Sequence, residues 1–179
     1  MRIRRIAVLV LASGTAALAP LAQAADTTVS VTLAGDLTLA APTSVSLGTV
    51  SAAAGSTISK ELGSVTVADG RGSLLGWSVT AATTTATMST GGATPKTIAL
   101  GATGPLGWVT GTVAASGPSL ITGVAAGAGG FLSTTAIPVA TAVATSGGGS
   151  YTYNPTLTFT TPANAQAGTY SVVVTQTVS

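Results

Sequence analysis

The 179-residue chain contains neither histidine nor cysteine. That removes the usual general base near neutral pH, the thiolate nucleophile and the commonest zinc ligands. Asp26, Asp36, Glu61 and Asp69 are the four carboxylates left for acid–base work. A glycosidase needs two of these opposed across a sugar, and none sits in a recognisable catalytic setting. Lys60 and Lys96 could in principle activate a serine, but the chain has no Ser-x-x-Lys. A calcium loop needs several closely spaced carboxylates, which Asp69 alone does not supply. Gly147-Gly148-Gly149-Ser150 lacks the lysine and the helix of a phosphate-binding loop, and reads as a flexible connector between strands. The expectation is a non-enzymatic protein with no catalytic, metal-binding or cofactor-binding residues.

Residues suited to recognition are few. Asp69 and Arg71 flank Gly70 in a turn, where the carboxylate can bond the backbone and the guanidinium can pair with it or reach a ligand. Trp77 alternates with Leu75 and Val79, which places its ring between two sheets, burying on the order of 200 Å², or else turns it toward a ligand. Trp108 lies beside glycine-rich stretches and is the better exposed candidate, either a platform for a sugar face or a satellite core contact. Gln176 shares a face with Val172, Val174 and Val178. Its amide must find a buried partner or sit at the open end of a sheet, since an unpaired buried amide costs about 1–3 kcal/mol.

The elements that must carry these residues follow a period of two. Thr28 to Leu33 alternates Val29, Val31 and Leu33 with Thr and Ser. Ser64 to Asp69 places Val65 and Val67 together, and Leu75, Trp77, Val79 and Ala81 share a face. Tyr151, Tyr153, Pro155, Leu157 and Phe159 alternate with polar residues, as do Tyr170, Val172, Val174 and Val178. Branched Thr and Val favour strands. Glycine and Asx clusters at 34–36, 68–72, 91–92, 101–107, 127–130, 147–149 and 163–168 mark turns. Short one-sided strands with frequent turns predict an all-β fold, an antiparallel β-sandwich of Ig-like or Greek-key type with long Gly-rich loops, a barrel being the competing architecture. The stretch from Gly101 to Gly149 reads as loops with weak strands at 108–113 and 137–144, and Pro118 and Pro138 limit strand continuity there.

The N-terminus has the layout of a cleaved signal peptide: basic Met1–Arg5, an apolar run from Ile6 to Leu18, then Ala22-Gln23-Ala24. Cleavage after Ala24 leaves 179 − 24 = 155 residues, so the expected organisation is a leader over 1–24 and one domain over 25–179. The apolar run is shorter than the roughly 20 residues of a membrane span, and no transmembrane span is expected in the mature chain. Beyond the leader, Lys60, Arg71 and Lys96 face four carboxylates, a net charge of 3 − 4 = −1. Three scattered cations do not make a phosphate-binding surface, so nucleic acid is not an expected partner. With no cysteine, burial and sheet hydrogen bonds must hold the fold.

Three stretches resemble the WxL family of cell-surface domains from Gram-positive bacteria. Val67-Ala-Asp-Gly-Arg-Gly-Ser-Leu-Leu-Gly-Trp-Ser-Val79 is similar to the family's Val-x-Asp-x-Arg…Gly-Trp-x-Leu segment, with Val79 in place of Leu. Gly168-Thr-Tyr170 through Val178 is similar to its closing strand, with Gln176 where the second Trp would be. Pro42 to Val50 looks like its opening strand. The resemblance implies a secreted protein attached noncovalently to peptidoglycan or another cell-wall polymer, or to other surface proteins. The alternative is a self-associating structural subunit of an extracellular filament, pilus or surface layer.

Overall fold

The computed structural model describes residues 30–116 and 123–179. The expected leader, Thr28, Val29 and Pro118 lie outside them. Contacts divide the chain into two units, residues 1–32 and 33–179, and the strands described below all lie in the second. All regular structure among the described residues is β-strand, fourteen in number and antiparallel throughout, as the alternation predicts. No helix among them is long and apolar enough to cross a membrane.

The strands fall into four groups. β1 (Leu37–Ala40), β3 (Val65–Asp69), β12 (Gly149–Tyr153) and β8 (Ala114–Ala115) form one sheet in that order. A second sheet runs β10 (Gly130–Phe131), β7 (Leu106–Val109), β13 (Thr156–Thr160), β2 (Thr57–Glu61). The third is β14 (Val174–Val178), β4 (Trp77–Thr83), β11 (Ile137–Ala142), β9 (Val124–Ala126), and β5 (Thr87–Ser89) with β6 (Thr97–Ala99) makes a separate hairpin. The first and third sheets face each other across the core, where the rings of Trp77 on β4 and Tyr151 on β12 lie 5.7 Å apart at 55°.

The first and second sheets are halves of one bent surface. β3 pairs with β12, and β2, the strand before β3, pairs with β13, the strand after β12. Between the two ladders, residues 62–64 oppose only 154 and 155, one extra residue on one side. Such a bulge bends both strands together and turns a corner between sheets. Gly63 takes φ +102° there, and its N–H donates to Asn154 Oδ1 at 3.1 Å while Leu62 N–H donates to the Pro155 carbonyl at 2.8 Å. Pro155 has no N–H to give to a ladder, so the break falls where the loss is smallest.

Most of the alternation is realised. Val65, Val67, Val79 and Ala81 are fully buried, and Tyr151, Tyr153, Leu157 and Phe159 keep one inward face although the corner divides them between two sheets. Three expectations are corrected. Residues 30–33 of the Thr28–Leu33 alternation form no strand, and the first ladder begins at Leu37. Leu75 does not continue the face of Trp77: it is 71% exposed, because Gly76, at φ +78°, turns the chain between them. Pro42 to Val50 is not a strand either, though Val45 and Leu47 point toward the core.

The region from Gly101 to Gly149 is more structural than its composition suggested. It supplies Leu106 and Trp108 on β7, Val139 on β11, and Leu132 directly after β10, all buried. β11 is an interior strand, paired on both edges, and its register shifts by one residue between Pro138 and Ala140. The proline therefore shapes the strand without ending it.

Candidate binding cleft and the tryptophan motifs

The residues singled out from the sequence separate into two places. Asp69, Arg71, Trp77 and Val79 gather where β3 ends and β4 begins. Asp69 is buried and accepts from Arg71 Nε and Nη2, each at 2.9 Å, and from the Arg71 backbone N–H at 3.1 Å. The same Nη2 donates to the Gly76 carbonyl at 2.6 Å. One guanidinium thus ties the end of β3 to the residue that precedes Trp77. Both charged groups use these hydrogen bonds within the turn, and the bidentate geometry fixes its shape.

Trp77 enters the core directly after this turn. Its Nε1–H donates to the Gly147 carbonyl at 3.0 Å, so the buried indole is satisfied by the Gly147–Gly149 connector, which is packed against it. Val79 follows two residues later on the same inward face.

The Arg71 hydrogen bond holds the Asp69 carboxyl below its ordinary pKa, burial opposing the shift in part. A carboxylate whose folded pKa is depressed contributes stability above its unfolded pKa, and that contribution is lost as pH falls through the folded value. The melting temperature is therefore expected to drop from about pH 4 downward, and Asp69→Asn should flatten this acid limb while lowering stability at neutral pH. Thermal melts of both proteins from about pH 2 to 7 check this; parallel profiles would refute the role of the pair.

Trp108, Tyr170 and Gln176 sit elsewhere, around a cleft of about 780 Å³. Its floor includes Leu106, Trp108, Leu157 and Phe159, and its two walls are Ala41–Val50 and Gly168–Val174. Trp108 is 1% exposed, and its Nε1–H donates to Thr110 Oγ1 at 3.2 Å. Trp77 is 4% exposed, so neither indole offers a ring face on which a sugar can stack. Tyr170 is half-buried at the wall, its hydroxyl donating to the Gln166 carbonyl at 2.9 Å.

Gln176 finds the partner its position demands: Tyr153 donates its hydroxyl proton to Gln176 Oε1 at 3.0 Å, across the sandwich from β12 to β14. Burial pushes the Tyr153 phenol well above its ordinary pKa. Tyr153→Phe is expected to cost about 1–2 kcal/mol in urea unfolding. Combining it with Gln176→Leu should cost less than the sum of the single changes, because the two groups share one bond. Strict additivity would show that the bond contributes nothing.

The edges beside the cleft were not legible in the sequence. In an antiparallel ladder the N–H and C=O of one residue face the same neighbour, and successive residues face opposite sides. Ser78 and Ser179 exchange both bonds, and Thr84 N–H donates to the Val173 carbonyl at 3.0 Å. Val174, Gln176 and Val178 therefore turn their main-chain groups away from β4. Gly70 N–H donates to the Asp36 carbonyl at 2.8 Å, which by the same alternation turns Leu37 and Leu39 away from β3. β1 and β14 are the terminal strands of their sheets and approach each other without a ladder. Among the described residues, no main-chain hydrogen bond engages 41–50. The cleft lies between two strand edges with free hydrogen-bonding capacity, and no residue lining it is charged.

Comparison with known protein families, characterised proteins and solved structures finds no match.

Proposed function

We propose that this chain is a secreted, non-catalytic cell-surface protein of WxL-like type, and that it works by noncovalent association through the cleft. The observation that carries the reading is the cleft itself: an uncharged, apolar floor between two unpaired strand edges. Exposed edges of this kind take up extended polypeptide, with main-chain hydrogen bonds giving affinity and alternate side chains filling the floor. A wall glycan would call for an open aromatic face or clustered polar side chains. With both indoles inside, the geometry favours a surface protein over the wall polymer as the immediate ligand. The leader expected over 1–24 and the WxL-like segments support placement at the cell surface.

The test compares two wall preparations incubated with residues 25–179 and then centrifuged. Pelleting with untreated walls and retention in the supernatant with protein-stripped sacculi is the expected result. Equal pelleting with stripped sacculi would reject the polypeptide as ligand, and no pelleting with either would reject surface association.

A further inference from the structure

We propose that the cleft receives, as an added β-strand, the Thr27–Leu33 segment of a second copy of this chain. The inference rests on the cleft being the association surface and names its occupant. Thr27-Thr-Val-Ser-Val-Thr-Leu33 has the composition and alternation of a strand, with Val29, Val31 and Leu33 on one side. Its described part nevertheless forms no ladder, and Val31 and Leu33 are 81% and 90% exposed. A single exposed aliphatic residue is ordinary. Two of them at strand spacing, in a stretch that joins no ladder, suit a sheet edge.

The cleft meets that need in three respects. Its edges offer the outward N–H and C=O groups of Leu39 on β1 and of Val174 and Gln176 on β14. Its floor is apolar where Val29, Val31 and Leu33 would point. Neither the segment nor the lining carries a charge, so the pairing buries no unpaired ion. Seven extended residues reach about 23 Å. Each copy would give a strand to one neighbour and accept one from another. Such a head-to-tail contact repeats without closing unless its rotation closes a ring.

The test uses residues 25–179 in sedimentation velocity and negative-stain microscopy over a range of concentrations. Concentration-dependent oligomers are expected, with assembly weakened at least about a hundredfold in Val31→Asp/Leu33→Asp, since two aliphatic anchors become charges. Both positions are exposed, and circular dichroism verifies that the variant remains folded. A synthetic Thr27–Leu33 peptide should inhibit assembly of the parent protein. Because the chain has no cysteine, mixing Val31→Cys with Leu47→Cys should give a disulfide-linked pair on oxidation.

A parent protein that stays monomeric, assembly unchanged in the double variant, or the absence of a disulfide between Val31→Cys and Leu47→Cys chains on oxidation of the mixture would each overturn the proposal. A parent that is monomeric yet pellets with untreated walls overturns the self-donated strand alone and leaves the surface-protein reading standing. A monomer that pellets with neither wall preparation removes both.

Discussion

Trp108→Ala is expected to destabilise the domain by about 3–5 kcal/mol, a large share of the roughly 5–15 kcal/mol that holds an ordinary domain folded. The indole is buried where β7 passes beneath the cleft, opposite Leu157 on β13. Truncation removes its apolar contacts, leaves a cavity beneath an already open cleft, and takes from Thr110 Oγ1 the donor it now accepts from. Trp108→Phe should recover most of the loss, because ring volume matters more here than one modest hydrogen bond. Urea unfolding followed by far-UV circular dichroism gives the number. A cost under about 1 kcal/mol would mean that the ring is not packed as described.

Gly76→Ala is the second large effect, expected at about 3 kcal/mol from left-handed backbone strain together with steric displacement. The residue holds φ +78°, and an added Cβ would press on the Ala142 carbonyl oxygen and lie 2.8 Å from the Val143 carbonyl carbon. Both neighbours are backbone, so relief requires moving β4 away from the end of β11. Gly72→Ala provides the control: its φ is +66°, but nothing lies within 4 Å of the added carbon. It should cost only the conformational part, about 1–2 kcal/mol. Equal thermal shifts in the two variants would refute the steric argument.

How far the sequence could be read follows from what is local. Val65, Val67, Trp77, Val79 and Ala81 alternate with polar residues, and alternation is enough to place them inside. Leu75 satisfied the same pattern and lies outside, because periodicity does not register the left-handed turn that Gly76 makes. The Gly101–Gly149 stretch read as loops with weak strands, too poor in large apolar residues for a core of its own. Its strands are short and their buried positions are scattered, two on β7 and three on β11, yet Leu106, Trp108, Leu132 and Val139 all belong to the core.

Pairing was the least legible property. Thr28–Leu33 alternates as well as β3 does, but a strand exists only where a partner edge does, and that depends on residues far along the chain. Gln176 is the opposite case. Its face was readable from the spacing, and the cost of an unpaired amide required a partner, although nothing local named Tyr153. The cleft left no signal at all, since paired and unpaired edges share one composition.

The bent ribbon at the corner also sets an order in time. Glu61 lies opposite Thr156 and Asp69 opposite Gly149, so neither β2 nor β3 meets its β12–β13 partner until the last third of the polypeptide has arrived. A chain synthesised N-terminus first must therefore hold β2 and β3 without these partners for most of its length. Closing such distant pairings is slow. In that interval these strands are most vulnerable to proteolysis and to pairing with the wrong neighbour.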